Sequence, residues 1–425
     1  MQNIQDLNLE KEILPLFNFT LNNFSKGKLM DILNNPLSTK NEILLKQNIL
    51  NGFIKNHSVL GDYSYSPIYF KEVHNFLLYF SYDRKRENSL KNRILITKRE
   101  KYQRQSKLIQ LVLFFHKIHS FFFKRIETKY FPEEYKRSLV KMNDFFIQLK
   151  LDHFEYLIRE QKIRNKHFNE LSEIISKMKA DRQNSFFWEE LFLFEAYLSI
   201  SIGLVKYNFN FPTIASKNLS LSNFYHPILN KPITNSFNLD KNIVLLTGPN
   251  MSGKSTLLKA TSICVYLSHL GFAIPASKAD IPIFHDFAIH INHRDNLLNG
   301  YSHFMTEVKN LKSVVLLSIK KDKCFAVFDE MFNGTNAEDA LDIISTTIKG
   351  LKQFQNSLFF ISTHLHQLKE VTEINTGEVS SFYIDCVLKN QTPAFTYKLK
   401  KGWSDIKVGK ILFKKEGLEE ILKTK

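Results

Sequence analysis

Cysteine is scarce, with Cys264, Cys324 and Cys386 the only three in 425 residues. They are odd in number, lie far apart and show no CxxC or Cys/His spacing. A disulfide framework is therefore not indicated, nor is a zinc site, and a reducing, cytoplasmic setting is expected. Apolar runs long enough to cross a bilayer are also missing. The best candidate, LIQLVLFFHKIHSFFF at Leu108–Phe123, is short and broken by His116, Lys117 and His119, so it reads as a buried or partner-facing helix without a membrane role. The opening MQNIQDLNLEKEILPLF carries acids where an export signal needs positive charge, and no such signal is visible. No repeat of 20 to 50 residues and no low-complexity linker interrupts the chain.

Acidic residues are in deficit. Against 58 Lys and Arg stand 42 Asp and Glu, a formal net charge of +16, and Ser81–Tyr130 alone holds 14 basic and 4 acidic side chains. A concentrated excess of this kind attracts polyanions and makes binding depend on salt. Charge alone leaves a second reading open, in which a chain rich in Lys, Asn, Phe and Ile simply solvates its helices with lysine.

The length suits two domains. From about Lys11 to Tyr207 glycines are few, prolines stand only at Pro15, Pro36, Pro67 and Pro132, and apolar residues recur at helical spacing. Tyr135 to Ile163, for example, repeats apolar residues three and four apart and predicts one amphipathic helix. Around Phe209–Leu229 the texture changes to short β-like runs punctuated by Pro and Asn. Beyond it come the uniformly apolar runs IVLLT at Ile243, FAVFDE at Phe325 and SLFFIS at Ser357, separated by helix-like segments. Strands apolar on both faces belong to a mainly parallel sheet covered by helices. The expectation is an all-helical domain over 1–210 followed by an α/β phosphate-loop domain over 211–425.

Four stretches of the second half carry chemistry. Gly248-Pro249-Asn250-Met251-Ser252-Gly253-Lys254-Ser255, followed by Thr256, satisfies the phosphate-loop pattern after an apolar strand and before a helix. Its glycines let backbone N–H groups converge on phosphates, Lys254 neutralises the β and γ oxygens, and Ser255 offers a hydroxyl to Mg²⁺, so ATP and Mg²⁺ are the expected ligands. CFAVFDE ends a buried strand on Asp329 and Glu330; Asp329 is placed as the Mg²⁺ partner and Glu330 as the base for the attacking water. A surface Asp-Glu pair at a strand end is the blander reading. SLFFISTHLH sets His364 just past another apolar strand, either as a structural histidine or as a reporter of the γ-phosphate. GYSHFMTEV, at Gly300, reads on its own as a helix start capped by Ser302.

Taken together, these residues resemble the MutS DNA mismatch-repair ATPases. TGPNMSGKST at Thr247, GFAIPA at Gly271, DNLLNGYSHFMTEV at Asp295, DEMFNGTNAEDA at Asp329 and STHLHQL at Ser362 follow in that family's order, and FYHPIL matches at His226 and Pro227. The resemblance implies an ABC-type ATPase fold and a homodimer in which Ser302 reaches the partner's ATP, with Gly334, Thr335, Asn336 and Asp339 also at the interface. The tail 402–425, with Asp405, Gly409 and Gly417 in register, resembles a helix-turn-helix that clasps the partner. It implies DNA as the ligand, gripped through basic helices in 81–180, which carry 24 basic and 12 acidic residues.

Departures are expected too. His303 replaces the usual Thr after the signature serine. Pro232 or Ile233 stands where an aromatic stacks on adenine, leaving Phe237 as a substitute. Thr20–Phe53 looks like the start of the core domain, so the mismatch-reading and connector domains are missing and the levers are short. The triplet FWE at Phe187 has the letters of a mismatch wedge but sits in an apolar helix and reads as core. The implied function is a DNA-repair ATPase that couples ATP binding and hydrolysis to its grip on mismatched or otherwise structured DNA. Rival readings are an ATP-gated binder of branched DNA, of a ribosome or of a protein partner, and a nucleotide-dependent scaffold. With the chain ending at Lys425, no nuclease domain is expected after the clasp.

Overall fold

The computed structural model describes residues 3–82, 98–215, 217–291, 303–321, 323–333, 335–370, 374, 376–389, 392–403, 411, 413 and 415–422. Mixed helices and sheets fall into two compact units. One is Phe17–Asn34 with Leu45–Lys206, and the other is Met1–Leu16, Asn35–Leu44 and Tyr207–Lys425. The division is therefore not one cut at 210. Backbone bonds draw two early segments to the second unit: Asn3 N donates to Phe287 O at 3.0 Å, Ile289 N to Asn3 O at 2.8 Å, and Leu37 N to His269 O at 2.7 Å.

Among the described residues the first unit contains helices and no strand. Its axis is the helix Gln183–Lys206, apolar nearly all round and buried along most of its length, as such a composition requires. Phe187, 1% exposed, stacks on Phe145 with ring centres 3.8 Å apart, and Trp188 is buried beside it, so the two aromatics of the FWE triplet are core while Glu189 is exposed and pairs with Lys28. Leu108, Leu111, Val112, Phe115 and Ile118 on the helix Lys98–Phe121 are buried as well. No helix among the described residues is long and apolar enough to cross a membrane.

The single helix expected from Tyr135 to Ile163 is two, Glu133–Gln148 and Leu151–Arg159. Lys150 takes a left-handed conformation (φ 49°) between them, which keeps Leu149 and Leu151 both buried while its amine reaches Glu170 at 2.8 Å. Periodicity read across the break looked continuous because both helices bury one face.

The second unit holds ten strands among the described residues, in two sheets. A small sheet is ordered β1 (Thr213–Ala215), β5 (Lys278–Pro282), β2 (Ser220–Phe224) and β3 (Asn235–Asn238). The main sheet runs β10 (Thr392–Lys401), β9 (Ser380–Lys389), β4 (Ile243–Thr247), β8 (Leu358–Ser362), β7 (Cys324–Phe328) and β6 (Asp286–His290). All its pairings are parallel except that of β10 with β9, so the sheet is mostly parallel. Every residue of β4, β7 and β8 is buried, in keeping with a sheet covered on both faces. One face packs on the helices His303–Lys321 and Ala337–Leu351 through Val314, Ile344 and Ile348. At about 1.5–3 kcal/mol for each buried aliphatic side chain, these strands set the rigid frame of the unit. Cys264, Cys324 and Cys386 are all buried and unpaired.

Candidate nucleotide site

Parallel pairing brings the carboxyl ends of β4, β8 and β7 to one edge in that order. The loop after β4, the end of β8 and the acids after β7 therefore become neighbours, although 82 positions separate Thr247 from Asp329.

The loop Gly248–Gly253 turns β4 into the helix Lys254–His269. Gly248 (φ 143°) and Gly253 (φ 97°) occupy backbone regions that side chains rarely adopt. A Cβ on Gly248 would also stand 3.1 Å from Ser252 Oγ, and one on Gly253 3.2 Å from Tyr397 Cδ1. Met251 forms the exposed apex in a left-handed conformation (φ 68°). Asn250, Ser255 and Thr256 are exposed, whereas Ser252 is buried and its hydroxyl has no partner.

Lys254 is 4% exposed. Its amine donates to Gly248 O (3.0 Å), Pro249 O (3.3 Å) and Asn250 Oδ1 (3.4 Å), and lies 3.6 Å from Glu330 Oε1. Burial pulls its pKa below the usual lysine value, and the carboxylates of Glu330 and Asp329 pull it back up.

Asp329 and Glu330 follow β7, with Asp329 buried and Glu330 partly so. Ser362, at the end of β8, joins them: its hydroxyl donates to Asp329 Oδ1 and accepts from Glu330 N at 2.8 Å. Asp329 N donates to His290 O at 2.9 Å, and Met331 N to Ser362 O at 3.3 Å. Glu330 sits in a left-handed conformation (φ 47°), and Asn333 Nδ2 donates to its Oε2 at 3.1 Å. Two carboxylates at a buried strand end thus each have a donor, as burial demands. Among the described residues no group of three or more His, Cys, Asp and Glu is arranged to hold a metal. Mg²⁺ asks for less, because it keeps several waters and takes one or two protein oxygens beside substrate phosphates.

His364 is exposed, two residues past Ser362. Asn336 caps the helix Ala337–Leu351, its Oδ1 accepting from Asp339 N at 2.8 Å while its Nδ2 donates to Asp339 Oδ2 at 2.7 Å. That local reciprocity accounts for both residues within one chain. Ser302 and Gly334 lie outside the described residues, as do Asp405, Gly409 and half of the tail 402–425; the described piece Leu418–Ile421 is helical after Gly417.

Beside the loop is a cavity of about 370 Å³. One wall is the segment Tyr225–Ile233, which contributes His226, Pro232 and Ile233; the other is Gly253, Thr256, Leu257 and Ala260 of the phosphate-loop helix. Phe237 does not line it. It is buried against Phe224, Phe360 and Phe382, whereas the aromatic residues lining the cavity include Tyr225 and Tyr397. Tyr397 stands where the β9–β10 register shifts, with φ 55°, and is 47% exposed. Strand alternation around a bulge carries no sequence signature, so Tyr397 was not singled out from the sequence.

Residues 244–421, from β4 into the tail, match MutS domain V. The C-terminal part of the chain is thus similar to the MutS family. The chain is similar to the DNA mismatch repair protein MutS of Leptospira interrogans, with 27% identity over 359 residues that cover 80% of this chain and 42% of the relative. The corresponding protein of Staphylococcus haemolyticus is 35% identical over 213 residues, covering 48% and 24%, and that of Carboxydothermus hydrogenoformans 27% over 303 residues, covering 68% and 35%. The chain thus spans less than half the length of these MutS relatives. The phosphate loop, Asp329, Glu330, Ser362 and Tyr397 all fall inside the domain V match.

Proposed function

We propose that this chain is an ATP-dependent DNA-binding protein of MutS type, which couples ATP binding and hydrolysis to its grip on structured DNA. The observation that carries the reading is the buried Lys254 amine 3.6 Å from Glu330, next to the Asp329 carboxylate. A cation aimed at phosphates, an acid for a metal and a base for water meet at one sheet edge.

The residues fit ATP with Mg²⁺. Gly248 and Gly253 leave the two ends of the loop without a Cβ, the Ser252 hydroxyl has no protein partner, and Lys254 is centred on the loop's own oxygens. Lys254 would neutralise phosphate oxygens, and Ser255 with Asp329 would hold the metal. When bound, Mg²⁺ would offset charge on the phosphates and orient them. Asp329 is fixed for this by Ser362, and Glu330 is positioned to take a proton from water, with Asn333 orienting its second oxygen. His364, from the same edge, would sense the terminal phosphate. A homodimer through this unit and the tail 402–425, with Ser302 completing the partner's site, belongs to the same reading.

Adenine would occupy the 370 Å³ cavity against Tyr397. Tyr397→Ala is expected to weaken ATP binding about tenfold, as loss of one base–aromatic stack would. Tyr397→Phe should stay near the parent. Titration with a fluorescent ATP analogue measures both, and equal affinities for parent and Ala variant would remove Tyr397 from the base site.

The helical unit supports the DNA part. Its surface sets cations over rings: Arg125 over Phe121, Lys55 and Lys129 over Tyr130, Arg159 and Lys162 over Tyr156. A panel of homoduplex, mismatched, branched and single-stranded DNA, with and without ATP, tests it. With 6–10 phosphate contacts, affinity should fall by roughly 10³–10⁵ between 50 and 200 mM salt. Absence of binding at low salt would reject DNA as the ligand. Equal affinity for homoduplex and mismatch would reject mismatch sensing.

A further inference from the structure

We propose that Glu12 is a positioning residue for the base end of the nucleotide site, stapling together the two walls of the cavity beside the phosphate loop. This rests on the nucleotide reading above. Glu12 belongs to neither wall, coming from the short helix Leu9–Ile13. Its Oε1 accepts from Lys259 Nζ at 2.6 Å, and its Oε2 lies 3.9 Å from His226 Nε2. Lys259 precedes the lining residue Ala260 on the helix that begins at Lys254. His226 is a lining residue of the opposite wall and opens its turn, with Leu229 N donating to His226 O at 3.2 Å. One carboxylate therefore bonds one side and faces the other.

The staple has its own anchorage. Asn3 pairs with β6 through two backbone bonds, and Ile291 N donates to Asp6 Oδ2 at 2.8 Å. Leu9 and Ile13 are buried, and Asn8, left-handed at φ 50°, turns the chain so that its Nδ2 donates to Glu12 Oε1 at 2.8 Å. The side chains of Glu12 and Lys259 are 25% and 15% exposed, a setting in which an ion pair is screened less than at an open surface. The buried His226 ring has no partner at Nδ1, and its Nε2 faces Glu12 Oε2 at 3.9 Å. Loss of the carboxylate would free the cavity walls to separate while leaving the loop bonds of Lys254 in place.

The test compares a ligand that has a base with one that lacks it. Magnesium ATP and magnesium tripolyphosphate are each titrated against the full chain as a displacement of fluorescent ATP analogue. For Glu12→Gln, ATP affinity should fall about tenfold, the loss of one charge-assisted contact, while tripolyphosphate affinity stays within about twofold. Lys259→Met, a second route to the same break, should show the same selective loss, and Lys254→Ala should weaken both ligands. Unchanged ATP affinity in Glu12→Gln and Lys259→Met, or parallel loss of both ligands, would overturn the assignment. A parent chain that binds neither ligand would instead overturn the nucleotide reading on which it rests.

Discussion

Glu330→Gln is expected to lower phosphate release by about 10²–10⁴-fold, the usual contribution of a positioned base, while ATP affinity stays within about threefold of the parent. Gln keeps the shape and still accepts from Asn333, whose Nδ2 lies 3.1 Å from Glu330 Oε2. It cannot take a proton. Single-turnover phosphate release beside equilibrium binding separates the two effects, and undiminished turnover would show that another group is the base. A second signature follows from Lys254. Burial depresses its pKa, and Glu330 and Asp329 oppose that depression. With the Glu330 charge gone the amine's pKa drops further, so the alkaline loss of ATP binding should move to lower pH in the variant.

Glu195→Ala should destabilise the helical unit by about 3–5 kcal/mol, because an acceptor shared by several buried donors disappears and leaves a void. Glu195 is 3% exposed in the middle of the helix Gln183–Lys206. Its Oε2 accepts from Ser25 Oγ (2.6 Å), Asn22 Nδ2 (2.6 Å) and Tyr65 OH (3.1 Å), and its Oε1 from Tyr63 OH (2.9 Å). Burial raises its pKa above the ordinary carboxylate value, and these bonds work in the opposite direction. The sign is that of an acid raised on folding: the group's contribution is fullest below its unfolded pKa and is lost as pH rises through the folded one. Urea unfolding followed by Trp188 fluorescence, in a Trp403→Phe background, measures the change. A midpoint that moves by less than about 0.5 M would show that the network adds little.

Much of the site was legible because its parts are local. A phosphate loop needs glycines at fixed offsets before a lysine, and a buried strand ending in Asp-Glu advertises itself against an apolar background; both were found where they stand. The strands at Ile243, Phe325 and Ser357 were readable for the same reason, since burial on both faces leaves unbroken apolar runs. The helix break at Lys150 was not, because a left-handed residue flanked by two helices with aligned apolar faces preserves the period. Phe237, the substitute offered for the adenine contact, packs on Phe224, Phe360 and Phe382, because composition cannot tell which side of a strand faces the core and which a cavity.

Ser362, Tyr397 and Glu12 belong to a different class. Ser362 matters because β8 lies between β4 and β7, an order that no stretch of sequence states. Tyr397 reaches the cavity through a register shift between two strands, and Glu12 reaches Lys259 across 247 positions. Local spacing encodes how a segment folds on itself, whereas proximity between distant segments depends on sheet order and on the packing that selects it. The residues proposed for phosphate and metal chemistry were thus written into the chain as motifs. The residues that orient them, and those that shape the base cavity, were fixed when parallel pairing brought the strand ends to one edge.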